Sequence, residues 1–400
     1  MSVKDKKELV FVCQVYHPDE SSTSQLFTPL MEKFAKAGYS VSVLCGYAKG
    51  KKSPSEETLN GVKILRHGLN IDHKRGLVWR LVAYSSFILS VFFRLLATKN
   101  GPRFIGVTNP PFNAHVLSLT SKFRGRSFDY ILLDLHPEGL VKTGVLKENS
   151  YAEKFWIRLN QTSYSKAERL YVIGRDMKKL VQENYSLPST ELIYMPHWSV
   201  NEGSEYIEFS DSRFTKALAI EEKFVVQYSG NMGLWHDMDT LVRAASKLLD
   251  QKHIQFVFVG GGMRFSSAQS LAEELECENI MWRDFVDESD LHESLSACHL
   301  ALITLSAGLE GVAVPCKLYG ILASGRAVLS VSPAQSEVAL TLDDHKCGVN
   351  ILPGEVDQIV EIIKILSKDT KKVREMGLNG FEACRTRFSI QEAYSSLVQA

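Results

Sequence analysis

One stretch of the chain, residues 305–330, combines the residue types that could bind a polar ligand. Its sequence is LSAGLEGVAVPCKLYGILASGRAVLS. It places Glu310 and Gly311 in a loop, and Lys317 at the start of a short helix that a buried strand follows. A carboxylate, a lysine and glycines that expose backbone N–H groups can hold an anionic or hydroxylated ligand. These residues form the first candidate site.

Two glycine-bearing turns follow apolar segments in the same half of the chain. Residues 230–233 (GNMG) come after FVVQY, and residues 260–262 (GGG) come after IQFVFV. A Gly-x-x-Gly turn between a strand and a helix lets backbone N–H groups approach an anion. Asp237 and Asp239 then form a D-x-D, but two acids just before a helix are more often an N-cap and a first-turn pair than metal ligands.

A third polar group lies in the N-terminal half, after a predicted strand at residues 130–133. The sequence DLHPEG brings Asp134, His136 and Glu138 to the carboxyl end of that strand. Two carboxylates and a histidine at such an edge form a candidate site. The alternative is structural: Asp134 can cap a helix, and Glu138 can complement the helix dipole from the first turn.

Short β-rich runs alternate with helical patterns along the whole chain, which predicts an α/β fold with parallel, doubly wound sheets. At 400 residues the chain exceeds the size of one hydrophobic core. Residues 200–212 are polar and aperiodic, so they are the predicted linker. The expected domains are residues 1–200 and 201–385, with a last helix at 386–400 that returns to the first domain.

Composition excludes several classes of protein. Lysine plus arginine equals aspartate plus glutamate at 46 each, so no global charge favours a nucleic-acid partner. The seven cysteines are scattered without a C-x-x-C pair, which indicates neither a zinc site nor a disulfide framework. The amino-terminal sequence lacks the pattern of a signal peptide. We therefore expect a reducing, cytoplasmic location.

The most apolar stretch is residues 74–97, KRGLVWRLVAYSSFILSVFFRLLA, which Lys74, Arg75, Arg80 and Arg94 interrupt. A membrane span needs about 20 apolar residues with few charges, and the uninterrupted part is shorter than that. One interpretation is a helix packed against the N-terminal sheet. Another is a monotopic helix that buries an apolar face in a bilayer and sets its arginines among anionic headgroups. A true span is the third alternative.

The ordered set of motifs resembles one family. YHPDE after the first strand, NPP, DLHPE, PHW before the linker, SGNMG, HDMDTL, VGGG and VPCKLYGILASGR together resemble the GT-B glycosyltransferases, and more narrowly the retaining, family-four-like enzymes of bacterial polysaccharide and O-antigen assembly. The resemblance covers nearly the whole chain. It implies two Rossmann-like domains that face each other across a cleft, with a nucleotide diphosphate sugar in the C-terminal domain and the acceptor in the N-terminal one.

The resemblance also implies roles for individual residues. Glu310 and Lys317 would act on the sugar and the phosphates, while His136 and Glu138, with Asp134, would face the acceptor. The donor would contact a further set of positions: Gly230, Asn231, Gly233, His236, Gly260, Gly261, Phe285, Val286, Gly311 and Val312. Gly320 stands where the family carries its second glutamate, and Asn231 and His236 stand where it carries an arginine and a lysine.

The implied reaction moves a sugar, with retained anomeric configuration, from the nucleotide donor to a lipid-linked or oligosaccharide acceptor during cell-surface polysaccharide synthesis. No cofactor and no metal are required, because a lysine and N–H dipoles can stabilise the departing diphosphate. The stretch 74–97 would hold the enzyme at the inner face of the membrane. Two alternatives remain open: a GT-B-like sugar-nucleotide 2-epimerase, and a partner subunit that has kept the fold and lost catalysis.

Overall fold

The computed structural model describes residues 7–48, 53–71, 77–99, 101–200 and 203–399, without the side chains of Leu77, Val78 and Arg80. The chain divides into two compact units. The first, the N-terminal unit, contains residues up to Pro196 together with the carboxyl-terminal segment from Ile390. The second, the C-terminal unit, runs from His197 to Ser389. Lys74 and Arg75, which the sequence placed beside the apolar stretch, lie outside the described residues.

The described residues of the N-terminal unit form a sheet in the order β3-β4-β2-β1-β5-β6-β7-β8. Its strands are β1 (Glu8–Val12), β2 (Ser40–Cys45), β3 (Glu56–Leu59), β4 (Val62–Arg66), β5 (Arg103–Val107), β6 (Asp129–Leu132), β7 (Arg169–Val172) and β8 (Glu191–Tyr194). All neighbours pair in parallel except β3, which pairs antiparallel with β4. Sequence reasoning missed β3, because EETL has the polar composition of a loop.

The helices of this unit cover both faces of its sheet. They are α1 (Ser22–Lys36), α2 (Leu77–Ala97), α3 (Asn113–Arg124), α4 (Glu138–Lys142), α5 (Tyr151–Tyr164) and α6 (Arg175–Asn184). The crossover β1–α1–β2 advances toward one edge of the sheet, whereas β4–α2–β5 and β5–α3–β6 advance toward the other. Because parallel crossovers are right-handed, α1 lies on one face, and α2 and α3 lie on the opposite face.

Helix α2 has two apolar stripes, of which one is buried and the opposite one is exposed. Ala83, Phe87, Val91 and Leu95 recur every fourth residue and are buried against the unit. Ser86 and Ser90 bond to the loop after β4 through the Leu69 N–H and the His67 imidazole. Among the described residues, no helix is long and apolar enough to cross a membrane.

The C-terminal unit repeats the design with a described sheet in the order β11-β10-β9-β12-β13-β14, all parallel. Its strands are β9 (Phe224–Asn231), β10 (Ile254–Gly261), β11 (Ile280–Arg283), β12 (Leu300–Thr304), β13 (Ala327–Val331) and β14 (Gly348–Ile351). The chain winds from β9 outward to β11 and then returns to β12 on the other side of β9. The strand order therefore reverses between β9 and β12, where open α/β sheets bind ligands outside the carboxyl ends of the strands.

Helices surround this second sheet, and one more helix belongs to the first unit. They are α7 (Arg213–Ala217), α8 (Met238–Ser246), α9 (Phe265–Glu274), α10 (Leu291–Ser296), α11 (Lys317–Ala323), α12 (Glu337–His345), α13 (Val356–Leu366), α14 (Thr370–Arg387) and α15 (Ile390–Gln399). Helix α15 packs on α1, where Tyr394 meets Phe34 edge-to-face at a centroid distance of 4.7 Å. The Arg103 guanidinium also donates to the Leu397 carbonyl. These contacts hold the end of the chain on the N-terminal unit.

Candidate functional site

The point where β9 and β12 adjoin brings together most of the residues that the sequence selected in the C-terminal unit. The carboxyl-terminal end of β9 carries Gly230, and the loop after β12 leads to Lys317. Two backbone-anchored bonds join these segments: the Asp237 N–H donates to Thr304 Oγ1 at 2.9 Å, and the Ser306 N–H donates to the Trp235 carbonyl at 2.9 Å. The two loops thus form one continuous edge, which we call the switch-point site.

Lys317 is the most informative side chain of the switch-point site. Its Nζ donates to the Tyr228 hydroxyl at 2.7 Å and lies 3.9 Å from the centre of that ring. Tyr228 in turn donates to the Asn231 carbonyl at 2.9 Å. Gly230 leaves room for the lysine, since a Cβ at that position would stand 3.4 Å from Nζ. Tyr228 is buried inside a strand, where the apolar pattern predicts a core residue.

The ammonium of Lys317 lacks a counter-charge. Among the described residues it forms no ion pair, and Tyr228 is a neutral partner. Burial lowers the pKa of Lys317 to about 7, because an ammonium loses its hydration there. A buried cation of this kind is stabilised when an anion binds beside it. The geometry therefore favours an anionic ligand at Nζ.

His236 closes the turn after β9 as a neutral imidazole. Its Nδ1 accepts the Gly233 N–H at 3.0 Å, so the ring proton is on Nε2. Burial, reinforced by the charges of Lys317 and Arg264, lowers the pKa of His236 to about 3. The Met232 N–H is also used internally, as it donates to the Gly261 carbonyl at 2.7 Å. The donor that this turn can offer a ligand is thus His236 Nε2–H, rather than the Gly233 N–H.

Arg264 supplies a second positive charge that the sequence analysis did not select. It stands at the start of α9, where its N–H donates to the Met232 carbonyl at 2.9 Å. Its guanidinium is near enough to His236 to lower the pKa of that imidazole. Arg264 Nε is buried without a hydrogen-bond partner among the described residues. Asn231 and His236 stand where the resembled family carries cationic side chains. In this chain Arg264, in the turn after β10, supplies a positive charge near those positions.

The glycines of residues 260–262 serve close backbone packing between the two turns. Gly260 has φ +127, and a Cβ there would lie 2.2 Å from the Gly230 carbonyl oxygen. The Phe285 ring covers this turn: its Cε1 would stand 3.3 Å from a Cβ on Gly260, and its Cε2 at the same distance from one on Gly261. Phe285 is nonetheless 62% exposed. An exposed aromatic ring at this edge offers a platform for a flat ligand ring; Val286 beside it is half-buried.

Glu310, Gly311 and Val312 occupy the loop after β12. The Oε2 atom of Glu310 is buried and has no hydrogen-bond partner within the described part of the chain. An orphaned carboxylate oxygen of this kind is satisfied when a hydroxyl group binds. Val312 does not offer a free N–H, because that group donates to the Leu309 carbonyl at 3.2 Å. No hydrogen bond in the described structure joins Glu310 to Lys317.

The D-x-D at residues 237–239 has a structural role. Asp237 caps α8: Oδ1 accepts the Thr240 N–H at 3.1 Å, and Oδ2 accepts the Thr240 hydroxyl at 2.6 Å. Asp239 lies in the first turn of the same helix, where its charge complements the dipole. Both carboxylates are thus explained by the helix start, as the sequence pattern favoured.

Asp134, His136 and Glu138 belong to the N-terminal unit, where they follow the carboxyl end of β6. Glu138 begins α4, and its Oε1 accepts the Tyr185 hydroxyl at 2.7 Å. The Asn160 amide donates to Tyr185 at 3.1 Å and to the His136 carbonyl. Asp134 does not cap α4, since Pro137 holds that position. This network fixes the loop and explains Glu138 as a first-turn carboxylate with one anchored oxygen.

The loop 134–138, the start of α4 and the helix α5 keep several buried polar atoms available. Glu138 Oε2, His136 Nδ1 and Trp156 Nε1 are buried and lack hydrogen-bond partners within the described ranges. Burial lowers the pKa of His136 and raises the pKa of Asp134 to about 6. Trp156 stacks on Phe112 at a centroid distance of 4.8 Å. Donors and acceptors beside aromatic rings are suited to binding a hydroxylated ligand such as a sugar.

Comparison with known proteins shows similarity to glycosyltransferases. Residues 210–383 match the family described as glycosyl transferases group 1. The chain is 28% identical over 286 residues to the probable glycosyltransferase WbjE of Pseudomonas aeruginosa, covering 70% of this chain and 71% of that protein. It is 22% identical over 306 residues to the putative colanic acid biosynthesis glycosyl transferase WcaI of Escherichia coli, covering 74% and 75%.

The fold is shared with solved structures. HepE of Anabaena, solved in complex with UDP-glucose, superposes with a TM-score of 0.71 at 15% identity, covering 98% of each chain. Other solved structures with this architecture are GT-B glycosyltransferases. The fold class and the family resemblance that the sequence indicated are confirmed: the chain has the GT-B fold, and its similarity to named glycosyltransferases supports a transferase enzyme.

Proposed function

We propose that the protein transfers a sugar from a nucleotide diphosphate sugar to a lipid-linked acceptor in polysaccharide biosynthesis, with retention of anomeric configuration. The observation that carries the proposal is the partly buried ammonium of Lys317 at the switch point of the second sheet, which has a neutral hydrogen-bond partner and no ion pair among the described residues. Cleavage of the anomeric C–O bond leaves negative charge on the diphosphate, and a cation preorganised in a water-poor site stabilises that charge. The UDP-glucose bound by HepE and the colanic acid role named for WcaI support this choice.

Under this proposal the residues of the switch-point site have three roles, in binding the diphosphate, the base and the sugar. Lys317 and Arg264 neutralise the diphosphate, with His236 Nε2–H as a further donor. Phe285 carries the base on its exposed face, and the unsatisfied oxygen of Glu310 accepts a sugar hydroxyl. These groups supply the required charge from side chains, so the proposed reaction needs no metal and no cofactor.

The acceptor is proposed to bind the loop 134–138, through the unsatisfied atoms of His136, Glu138 and Trp156. In retaining transfer the leaving phosphate can itself take the acceptor proton, so neither His136 nor Glu138 has to be the base. The apolar face of α2 is proposed to bring the enzyme to the cytoplasmic side of a membrane, where a lipid-linked acceptor is found. No disulfide joins cysteines among the described residues, so the seven cysteines are compatible with a reducing compartment.

A transfer assay tests the proposal directly. The protein is incubated with UDP-, GDP- and dTDP-sugars, with and without membrane lipid extract, and products are followed by chromatography. We expect at least one donor to be consumed, with the sugar recovered in the lipid fraction only when acceptor is present. NMR of the product then checks that the anomeric configuration is retained. Conversion of the donor without acceptor would instead indicate an epimerase, and no binding or turnover of any donor would contradict a transferase.

Donor binding should be linked to proton uptake. Because the pKa of Lys317 is about 7 in the free protein, much of the ammonium is deprotonated above that pH. A bound diphosphate raises this pKa, so binding takes up a proton, and the dissociation constant for the nucleotide rises by up to about tenfold per pH unit above pH 7. Calorimetric titrations at pH 8 in buffers of different ionisation enthalpy measure the uptake. Proton uptake that persists in Lys317→Met would show that another group is responsible.

A further inference from the structure

Charged residues are unevenly distributed along the N-terminal unit, although the whole chain has equal numbers of basic and acidic residues. Between Asp72 and Asp129 the sequence contains no aspartate or glutamate, although the whole chain has 46 acids in 400 residues. The same interval contains nine lysines and arginines. It includes all of α2 and α3, two adjacent helices on one face of the first sheet.

The two helices end side by side. The Arg126 guanidinium, just after α3, donates to the Leu95 carbonyl near the end of α2 at 3.0 Å. Arg124 approaches the Thr98 carbonyl in the same place. Since α2 and α3 both connect parallel strands on the same face of the sheet, they run in the same direction, and their outer stripes form one surface.

That surface is apolar at its centre. On α2, Leu89 and Phe93 are 58% and 64% exposed, and on α3, Leu119 and Phe123 are 49% and 67% exposed. Each pair is one helical turn apart, so each lies on a single side of its helix. We call these four side chains the α2–α3 face. Large exposed apolar side chains grouped in this way mark a binding surface rather than ordinary surface variation.

The rim of the α2–α3 face is basic. Arg94 of α2 and Lys99, two residues beyond its end, flank it, together with Lys122 and Arg124 of α3; all four side chains are exposed. An apolar centre with a purely cationic rim matches a bilayer whose headgroups are anionic. A second copy of the chain would instead set basic rim against basic rim in a symmetric dimer. A nucleic acid would leave the apolar centre without a partner.

We propose that the α2–α3 face is the lipid-binding surface of the protein and that it selects anionic lipid. The inference rests on the membrane location proposed above, and it extends that location in two respects. It assigns half of the contact to α3, which the apolar stretch 74–97 does not include. It also makes the rim residues, Lys122 and Arg124 among them, responsible for the choice of lipid.

Vesicle sedimentation of the full-length protein tests the proposal. We expect binding to vesicles of phosphatidylcholine with phosphatidylglycerol, weak binding to pure phosphatidylcholine, and loss of the difference in about 0.5 M salt. Replacing Lys122 and Arg124 with serine should weaken binding to the anionic vesicles about 30-fold, which corresponds to the usual contribution of two basic residues at such a surface. Replacing Leu119 and Phe123 with serine should weaken it tenfold or more.

Matched variants elsewhere on the surface control these changes. Lys371→Ser with Lys372→Ser removes the same charge from exposed positions of α14, and Ile365→Ser with Leu378→Ser removes exposed apolar side chains from α13 and α14. We expect both control proteins to bind vesicles as the unchanged protein does. Wild-type binding by the α3 variants, or no preference for anionic vesicles in the unchanged protein, would overturn the proposal. So would a dimer in sedimentation velocity that the α3 variants dissociate.

Nucleotide binding separates this proposal from the proposed function. Thermal shifts with UDP, GDP and dTDP report the C-terminal unit and should be the same in the α3 variants and the unchanged protein. Lost vesicle binding with an intact nucleotide shift supports the lipid surface. Intact vesicle binding without a thermal shift for any nucleotide would support the lipid-binding surface. It would contradict the proposed use of a nucleotide sugar donor.

Discussion

Replacing Lys317 with methionine is expected to lower kcat/KM for the donor by about 10²–10³-fold, which corresponds to about 2.7–4 kcal/mol of transition-state stabilisation. The loss follows from the position of Nζ, which is partly buried beside the end of β9 and has Tyr228 as a neutral partner. Methionine keeps the length and the apolar stem of the lysine but places no charge near the leaving diphosphate. Steady-state kinetics with the active donor from the transfer assay measure the effect.

The same replacement should not harm the fold, which makes the result interpretable. A buried ammonium without a counter-charge destabilises the folded state, so an apolar residue of similar size should raise the melting temperature or leave it unchanged. Lys371→Met, at an exposed position of α14, is the matched control and should behave as the unchanged protein. Near-normal kcat/KM in Lys317→Met would show that Lys317 does not stabilise the leaving diphosphate.

Replacing Gly260 with alanine should destabilise the C-terminal unit by about 2–5 kcal/mol, from the strained backbone and the overpacking together. The backbone at Gly260 has φ +127, and the new Cβ would stand 2.2 Å from the Gly230 carbonyl oxygen, an atom that cannot move without shifting β9. Thermal denaturation should show a fall of several degrees or more in the melting temperature. Nucleotide binding should weaken as well, because the turns 230–233 and 260–262 would separate.

Gly354→Ala is a suitable control for that change. Gly354 also has a positive φ, +87, but a Cβ there would meet nothing within 4 Å. This variant therefore carries the backbone strain without the clash, and should lose only about 1 kcal/mol. Equal destabilisation of the two variants would show that the contact between the two turns is not what requires glycine at position 260.

Sequence reasoning found the fold and the main binding turns because these depend on local patterns. The alternation of β-rich and helical segments, and glycines at the ends of strands, report the parallel sheets and their carboxyl edges. The strand β3 was missed because its pairing with β4 is what makes EETL a strand. Such pairing is a tertiary effect that composition does not report.

The partners of the site residues were less accessible from sequence. Tyr228 bonds to Lys317 across 89 residues, and its position within an apolar run gave no sign of that contact. Arg264 follows β10, whereas the resembled family carries its cations in the turn after β9. The motif of that turn therefore does not include Arg264. The hydrogen bond from the Gly233 N–H to His236 Nδ1 likewise depends on the conformation of the folded turn. Hydrogen-bond partners distant in sequence are set by the three-dimensional arrangement.

The central claim is that a nucleoside diphosphate binds at Lys317, and calorimetric titration of the unchanged protein and of Lys317→Met at pH 6.5 tests it most directly. At that pH most of the ammonium is protonated, since its pKa is about 7. We expect one of UDP, GDP and dTDP to bind the unchanged protein, and to bind Lys317→Met at least tenfold more weakly. Equal affinity of the two proteins for that nucleotide, or binding of none of the three by the unchanged protein, would contradict the claim.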